Sequence, residues 1–182
     1  MLLKMTELET GRLLLREFRQ SDAGDVARWE DGFRAENFLE FCFQSYREWG
    51  MGPWAMLLKE SGVIVGNCGF CRIRYDRNLE SLEYCGEVNY YVAPQYRRIG
   101  LATEAVLAAL KFGFSDLRLT RIQARCNPDN VSSERVLRKA GLKFERAIAA
   151  AEPGSPDERL YAISREEFQR LLAPPRLGQA PR

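Results

Sequence analysis

A basic loop joins a strand to a helix in the segment Tyr90-Tyr-Val-Ala-Pro-Gln-Tyr-Arg-Arg-Ile-Gly-Leu-Ala-Thr-Glu-Ala105. Tyr90 to Val92 predicts the end of a strand, Ala93 to Tyr96 a turn, and Arg97 to Ala102 a loop that runs directly into the helix. The helix is predicted because apolar residues recur on one face; they are Ala102, Ala105, Val106, Ala109, Leu110 and Gly113. The first backbone N–H groups of a helix have no partner within it and lie at the positive end of its dipole. This junction therefore favours an anion such as a pyrophosphate.

The side chains around this loop–helix junction also favour the binding of an anion. Gly100 lets the backbone approach a ligand without a Cβ in the way, and Ala102 and Thr103 keep the first turn slim. Arg97 and Arg98 add mobile positive charge. Neither of the two commoner phosphate loops is present, because a Walker loop needs Lys-Ser/Thr after its second Gly and a dinucleotide fold needs G-x-G-x-x-G. A helix capped by a basic turn is the competing interpretation.

The pattern Arg97-x-x-Gly100-x-Ala102 resembles the R/Q-x-x-G-x-G/A signature of the GNAT superfamily of N-acetyltransferases. In that family the loop holds the pyrophosphate of acetyl-CoA. The resemblance implies acetyl-CoA as the cofactor and coenzyme A as a product. It also implies a set of cofactor-binding residues on the strand end, the loop and the helix start, namely Tyr91, Val92, Arg97, Arg98, Ile99, Gly100, Leu101, Ala102 and Thr103.

A segment near the N-terminus narrows the resemblance to one branch. Glu9-Thr-Gly-Arg-Leu-Leu-Leu-Arg16, followed by Asp22, is similar to the E-T-x-R-L-x-L-R-x-x-x-x-x-D opening of RimJ/RimL-like proteins. That branch acetylates the N-termini of ribosomal proteins. The resemblance therefore implies a primary amine, such as a protein N-terminus, as the acceptor.

A third segment follows the next predicted strand. It is similar to the family's N-x-x-S-x-x-V-L-x-K-x-G-F pattern at Asn130, Ser133, Val136, Leu137, Lys139 and Gly141, and departs from it at Leu142-Lys-Phe144. The resemblance implies that Asn130 contacts the cofactor arm and that Ser133 lies near its thiol. The residues also allow a structural interpretation, with Asn130 as a helix N-cap and Gly141 as a left-handed stop.

Together these segments resemble the GNAT fold, an α/β acyl-CoA N-acyltransferase architecture with a mixed, mostly antiparallel sheet and helices on both faces. Strands are predicted at 10–18, 54–59, 62–75, 82–92, 120–126, 144–148 and 159–163, and helices at 21–29, 34–49, 102–115, from 130 onward and at 164–172. The resemblance implies a bulge in strand 82–92 that splays it from the next strand, with pantetheine in the opening. We expect one GNAT domain over residues 1–172 and a disordered Pro-rich tail over 173–182.

Composition limits the function classes. The 182 residues are 46% hydrophobic and 29% charged, which is typical of a soluble globular protein. A net charge of +2 argues against a nucleic-acid partner. No apolar run approaches the ~20 residues of a membrane helix, and the N-terminus lacks a secretory signal. We therefore expect a cytoplasmic protein with no membrane partner.

Histidine and cysteine usage narrow the chemistry. Histidine is absent from the sequence, which excludes Ser-His-Asp and Cys-His catalysis and zinc sites with histidine ligands. The five cysteines are scattered, as expected of reduced thiols. Cys68 and Cys71 form a C-x-x-C within a predicted strand, where the two thiols face opposite sides. We expect buried strand cysteines and no metal site.

Acetyl transfer to an amine needs a base, because an alkyl ammonium with a pKa of ~10 is mostly protonated at neutral pH. Glu87 is the predicted base, since it lies on the strand that leads to the cofactor and faces away from the apolar side. Glu83 is the second candidate on the same face. A solvent-facing strand carboxylate is an equally good interpretation of Glu87. A backbone N–H at the splayed strand, that of Val92, can polarise the thioester carbonyl.

The proton donor for the leaving thiolate is the least defined group. Many GNAT enzymes carry a tyrosine seven residues after the asparagine, but Leu137 occupies that position here. The RimJ/RimL-like branch implies Ser133 as the substitute. Its hydroxyl can donate a proton; a structural role near a helix start is the alternative interpretation.

The identity of the acceptor stays open. An acidic region, which in the family forms one wall of the acceptor site, could attract an amine; it contains Glu30, Asp31, Glu36 and Glu40. A solvated helix face explains these acids as well. A small polyamine or aminoglycoside-like amine is therefore an alternative acceptor, and a non-catalytic acyl-CoA-binding module is an alternative function. Monomer and homodimer are both compatible with the sequence.

Overall fold

The fold is given by a computed structural model that describes residues 5–30, 34–76, 83–150 and 156–173. The strands in these segments are β1 Leu8–Glu9, β2 Leu13–Glu17, β3 Pro53–Leu58, β4 Ile64–Asp76, β5 Glu83–Val92, β6 Arg121–Cys126, β7 Lys143–Ile148 and β8 Glu158–Ser164. The helices are α1 Ala23–Val26, α2 Ala35–Trp49, α3 Leu101–Ser115, α4 Val131–Lys139 and α5 Arg165–Leu172. Short 3-10 turns lie at Gln20–Asp22 and Pro94–Tyr96.

The described strands form one sheet in the order β1-β2-β3-β4-β5-β6-β8-β7. Neighbouring strands are antiparallel except β5 and β6, which are parallel. A parallel pair needs a crossover connection, and α3 provides it. The predicted mixed, mostly antiparallel sheet is confirmed.

Helices cover both faces of this sheet. Along β3, Trp54 packs into the core that contains α3, whereas Ala55 next to it packs into the core that contains α1 and α2. This alternation follows from the two-residue period of a strand. Gly113 allows α3 to lie close to the sheet, because a Cβ at this position would come 2.7 Å from Ile122 Cδ1. The predicted layering, with helices on both faces, is confirmed.

β5 and β6 separate part-way along their length. They pair at Cys85↔Arg121, Gly86↔Ile122 and Glu87↔Gln123. No later pair joins them within the described part of the chain, although β5 continues to Val92 and β6 to Cys126. The expected opening between these two strands is therefore present, and it begins at Glu87.

The expected bulge lies in a different strand from the one predicted. In the pairing of β4 with β5 the register shifts between Phe70 and Arg72, so Cys71 is the extra residue and β4 carries the irregularity. A bulge changes which side chains of its own strand face the core. Cys68 is buried and Cys71 is exposed, so the expectation of buried thiols is confirmed for Cys68 and wrong for Cys71.

The corner after β2 differs from the predicted helix 21–29. α1 is a single turn that begins at Ala23, and Ser21 lies in the preceding 3-10 turn rather than at a helix N-cap. The buried Asp22 carboxylate accepts hydrogen bonds from the Arg16 guanidinium at 2.8 and 3.0 Å and from the Arg19 backbone N–H at 2.7 Å. Asp22 thus holds the corner, which explains why the N-terminal pattern pairs an arginine with this aspartate.

The C-terminal part of the prediction is confirmed where the structure describes it. Ser164 Oγ accepts from the Glu167 N–H at 3.2 Å, and Glu167 Oε2 accepts from the Ser164 N–H at 3.0 Å, so Ser164 caps α5.

None of the helices in the described segments is long and apolar enough to cross a membrane. Asp31 and residues 174–182 lie outside the described residues, and both the disordered tail and the domain bounds 1–172 stay predictions.

Candidate active site

The residues predicted to bind a cofactor gather around a cleft of about 970 Å³. Its walls are the end of β5, the loop 97–102, the start of α3 and one side of α4. The predicted residues that line it are Tyr91, Val92, Arg97, Arg98, Gly100, Leu101, Ala102, Thr103, Asn130 and Ser133. Glu87 and Ile99 are not among the lining residues, and the Ile99 residue is 54% exposed.

The loop 97–102, called the phosphate loop below after its predicted role, turns sharply before α3. Arg98 and Gly100 have left-handed backbone, with φ of 67° and 88°. Glycine adopts this conformation without strain, which accounts for Gly100. The Glu104 N–H donates to Gly100 O at 3.1 Å and closes the first turn of α3. The N–H groups of Leu101, Ala102 and Thr103 precede that bond, so the helix supplies no acceptor for them and they are oriented for an anion.

Arg97 is held by protein groups, so the expectation of mobile positive charge is wrong for this residue. Its Nε donates to Val92 O at 2.8 Å, and its Nη2 lies 3.2 Å from Glu30 Oε1. The guanidinium also lies 5.5 Å from the centre of the Tyr91 ring. Burial raises the pKa of Tyr91 to about 12, and the neighbouring Glu30 carboxylate acts in the same direction. Arg97 thus ties the phosphate loop to the end of β5.

The backbone of Val92 faces the opening between β5 and β6. Ala93 N–H donates to Val65 O on the β4 side at 2.9 Å. Successive peptide groups of a strand point to opposite edges, so the N–H and the carbonyl of Val92 point away from β4. The carbonyl is the one that Arg97 holds. The N–H lies on the side from which the described part of β6 has separated.

Asn130 and Ser133 begin α4 and meet β5 there. Asn130 Oδ1 accepts from the Ser133 N–H at 3.0 Å, so the structural interpretation of Asn130 as an N-cap is confirmed. The Tyr90 hydroxyl lies 2.8 Å from Ser133 Oγ and 3.0 Å from Ser133 O. The sequence pattern assigned Tyr90 only to the end of a strand and gave its hydroxyl no role. Leu137 is fully buried and contributes to the core.

Glu87 lies where β5 and β6 separate, on the sheet face away from α3. Its Oε2 is 3.2 Å from Gln123 Nε2 and 3.4 Å from Arg125 Nε, both on β6. The Glu87 side chain is 14% exposed, so it is largely shielded rather than solvent-facing. Glu83 begins β5, but its side chain lies outside the described part of the structure.

Two further cations line the cleft on α4. Arg135 and Lys139 are one helical turn apart, and both are exposed. The sequence pattern included Lys139 only as a match to the family segment and did not include Arg135, so neither cation was assigned a role. The i, i+4 spacing of two cations on a helix that follows Asn130 was the available signal.

Comparisons with known proteins agree with this geometry. Residues 12–143 match the family described as the acetyltransferase (GNAT) domain. A curated relative, the uncharacterized N-acetyltransferase YnaD of Bacillus subtilis, is 28% identical over 179 residues, covering 88% of this chain and 98% of the relative. A crystal structure of a GNAT acetyltransferase from Bacillus anthracis has a TM-score of 0.74 and 29% identity, covering 88% of this chain and 99% of that one. RimJ of Mycobacterium smegmatis, solved with CoA-disulfide, has a TM-score of 0.72 and 23% identity, with coverage of 90% and 88%.

The family match contains the elements that build the cleft. It begins in the N-terminal pattern at Arg12, includes the phosphate loop, and ends at the start of β7. The fold of the B. anthracis acetyltransferase extends over most of both chains. On the strength of this match and of the cleft at the split between β5 and β6, the chain belongs to the GNAT family of acetyltransferases.

Proposed function

We propose that this acetyltransferase takes an acetyl group from acetyl-CoA and transfers it to a primary amine. The observation that carries the proposal is the cleft in which the start of α3 meets the opening between β5 and β6. A helix N-terminus suits a pyrophosphate, and the opening suits a narrow arm that ends in a thioester. The volume of about 970 Å³ is ample for a cofactor of this kind.

The residues around the cleft fit such a donor. The N–H groups of Leu101, Ala102 and Thr103 would bind the pyrophosphate, with Arg98 adding positive charge beside them. Because Asn130 caps α4 through its Oδ1, its amide NH₂ remains to donate to the cofactor arm. Acetyl-CoA supplies an acyl thioester, whose carbonyl carbon is the electrophile and whose thiolate is the leaving group.

The chain then supplies the proton chemistry of a direct transfer. Glu87 would remove a proton from the ammonium, directly or through one water, and so release the amine lone pair for attack. The new C–N bond forms as the C–S bond breaks. The Val92 N–H would donate to the carbonyl oxygen as negative charge develops there. Ser133 would donate its hydroxyl proton to the departing sulfur and regain one, through water, from the acetylated nitrogen, which loses its second proton as it becomes the amide.

The two substrates would approach from opposite faces of the sheet. Glu87 lies on the face covered by α1 and α2, whereas Ser133 lies on α4 and contacts the core that contains α3 through Tyr90. The opening between β5 and β6 connects these faces. An amine that enters beside Glu87 would therefore meet a thioester held along the cleft.

A protein N-terminus suits the acceptor face better than a polycation. Glu30 pairs with Arg97 at 3.2 Å, and Glu40 pairs with Arg47 at 2.8 Å. Two of the acids expected to attract a polyamine are thus matched by arginines. Together with the RimJ/RimL-like pattern at the N-terminus, this favours a cytoplasmic enzyme that acetylates protein N-termini.

The proposal is tested by binding and by turnover. At about a hundredfold excess over Kd, acetyl-CoA should raise the Tm by roughly 5–10 °C, and NAD or ATP should not. Thiol release from acetyl-CoA should then accompany acetylation of peptides with free N-termini, and exceed the rate with spermidine or an aminoglycoside. Binding without thiol release for any amine would instead favour the acyl-CoA-binding module. Without binding, the proposed donor is wrong.

A further inference from the structure

The N-terminal segment 10–12 is bonded to the first turn of α3. Glu104 Oε1 accepts from Thr10 Oγ1 at 2.6 Å and from the Arg12 N–H at 2.8 Å. Glu104 Oε2 lies 2.8 Å from Arg12 Nε and 2.7 Å from Arg12 Nη2. Arg12 Nη1 extends further and donates to Ile99 O at 2.8 Å. One arginine therefore joins a carboxylate of α3 to the backbone of the phosphate loop.

Glu104 creates an electrostatic conflict with the proposed ligand. A carboxylate in the first turn of a helix is normally favourable, because it lies at the positive end of the dipole. Here the same end would have to attract a pyrophosphate, and a second anion nearby opposes that. Burial raises the pKa of Glu104, but hydrogen bonds from Thr10 and Arg12 outweigh this and lower it overall. Glu104 is therefore ionised at neutral pH, and its charge needs a counter-charge.

Arg12 also acts on the shape of the phosphate loop. Ile99 lies between Arg98 and Gly100, whose φ values of 67° and 88° turn the chain into α3. The Ile99 carbonyl is the group that Arg12 Nη1 holds. A Cβ at Gly100 would come 3.4 Å from Arg12 Nη2, so the guanidinium lies directly against this turn. The bond fixes the loop from outside the cleft, as the Arg97 bond to Val92 O does from β5.

We propose that Arg12 is a positioning residue for the pyrophosphate of acetyl-CoA. Arg12 neutralises the charge of Glu104 and fixes the Ile99 peptide, so that the start of α3 can bind an anion. The inference rests on the proposed use of acetyl-CoA. It gives the N-terminal Thr10-x-Arg12 pattern a role in cofactor affinity. Arg12 and Glu104 contact each other on the outer side of the loop, so neither is a catalytic residue.

A purely structural role makes a different prediction. The Arg12 side chain is 49% exposed, and ion pairs of that exposure contribute little to stability. If Arg12 only held strands together, its loss would lower the Tm slightly and leave the affinity for acetyl-CoA unchanged. If it only fixed the loop, removing the Glu104 charge as well would restore nothing.

The experiment compares Arg12→Ala, Glu104→Gln and the double variant in acetyl-CoA binding and in turnover. Arg12→Ala should raise the Kd for acetyl-CoA by about 5- to 30-fold with kcat within about twofold, since it removes a counter-charge near a helix terminus. Glu104→Gln can still accept from Thr10 and the Arg12 N–H and removes the opposing charge, so its Kd should equal that of wild type or be lower. The double variant should recover a large part of the affinity lost in Arg12→Ala, because the opposing carboxylate is gone.

Two further variants complete the design. Lys143→Ala removes one cation and one ion pair of 2.7 Å to Glu167, between β7 and α5 and away from the cleft, so it should leave the Kd unchanged. Arg12→Lys keeps the charge but loses the forked contact, and should lie between wild type and Arg12→Ala. If Arg12→Ala does not fold, Arg12→Gln, which removes the charge but keeps a polar side chain with an NH₂ donor, replaces it with and without Glu104→Gln.

The outcomes separate the inference from the function on which it rests. Wild-type protein that does not bind acetyl-CoA would contradict the proposed function. If wild type binds and Arg12→Ala binds equally well, Arg12 has no positioning role. If the double variant is as weak as Arg12→Ala, charge neutralisation is wrong. Partial recovery in the double variant supports the inference.

Discussion

The Tyr90 hydroxyl lies 2.8 Å from the Ser133 hydroxyl and joins β5 to α4 beyond the point where β5 and β6 separate. Leu137 occupies the α4 position at which the GNAT resemblance implies a tyrosine, and its side chain is buried. Tyr90 brings a phenol to α4 from the neighbouring strand instead. Burial raises the pKa of Tyr90, and its hydrogen bond with Ser133 only partly offsets this. The phenol is therefore protonated at neutral pH and can donate.

Removing the two hydroxyls of this pair one at a time should lower kcat by different amounts. Ser133→Ala should lower kcat by about 10- to 100-fold if its hydroxyl donates to the departing sulfur. Tyr90→Phe should lower kcat by only about 3- to 10-fold, because Tyr90 orients Ser133 without donating to the sulfur itself. The Kd for acetyl-CoA should stay within about twofold in both. Steady-state kinetics and calorimetry measure these quantities.

The pH profile provides the check on this pair. Because the pKa of Tyr90 is raised, the phenol does not ionise near neutral pH, and Tyr90→Phe should lower the plateau of the kcat profile without moving its limbs. Full kcat in Ser133→Ala would mean that the thiolate takes its proton from water. In that case the contact serves only to hold α4 against β5.

Replacing Glu87 should lower the rate of acetyl transfer and leave the affinity for acetyl-CoA unchanged. Glu87→Gln should lower kcat by about 100-fold or more at neutral pH, because the amine then loses its proton acceptor. The Kd for acetyl-CoA should not change, since Glu87 is not part of the cleft lining. Rate measurements over a range of pH should show partial recovery at high pH, where more of the amine is already neutral.

A matched control for Glu87 exists on β8. Glu158 Oε2 lies 3.4 Å from Arg125 Nη1, the same distance as Glu87 Oε2 from Arg125 Nε. Glu158→Gln removes an equivalent partner of Arg125 from a position away from the split between β5 and β6. It should retain most of the activity. Equal losses in both variants would show that the ion pairs of Arg125 matter and that Glu87 is not the base.

The conformation of the phosphate loop could be predicted from the sequence because the residues that determine it are close together in the chain. A loop with Gly100 before an amphipathic helix predicts a helix N-terminus whatever the rest of the fold does. Gly100 is left-handed, and α3 begins one residue earlier than predicted, at Leu101. The spacing of Asn130 and Ser133 was equally local, and the predicted cap formed.

Long-range contacts could not be predicted in the same way. Arg97 pairs with Glu30, 67 residues away, and Tyr90 reaches Ser133, 43 residues away. Such contacts depend on strand register, and a single extra residue at Cys71 changes which side chains face which layer. The helix expected from Ser21 was wrong for a related reason, since the Asp22 carboxylate bonds to Arg16 on β2.

Substitutions of the adjacent residues Arg97 and Arg98 should affect different kinetic constants. Arg97 holds the Val92 carbonyl and so restrains the backbone of Val92, the residue whose own N–H faces the opening. Arg97→Lys should lower kcat by about tenfold, because an ammonium cannot bond Val92 O and Glu30 with the same fork. Arg98→Ala should raise the KM for acetyl-CoA and leave kcat nearly unchanged. Saturation kinetics in acetyl-CoA separate the two, and a purely KM effect in Arg97→Lys would contradict the assigned role.

The Arg16–Asp22 pair predicts a large effect on stability. Both residues are buried, with 7% and 6% exposure, and the guanidinium bonds both carboxylate oxygens at 2.8 and 3.0 Å. Asp22→Ala should lower the free energy of unfolding by about 3–5 kcal/mol, because it leaves a buried guanidinium without its counter-charge. Urea unfolding measures this. Glu40→Ala, which removes an exposed ion pair of 2.8 Å to Arg47, should cost less than about 1 kcal/mol.

The double variant decides whether the cost comes from the lost pair or from the charge left behind. Replacing Arg16 by Met and Asp22 by Leu removes both charges and retains apolar volume at the corner between β2 and α1. Replacing buried ion pairs in this way is often neutral or stabilising, so the double variant should be more stable than Asp22→Ala alone. The Arg19 N–H would then lose its acceptor, which limits the recovery. A double variant less stable than Asp22→Ala would show that the pair itself, and not the avoidance of a lone charge, holds the corner.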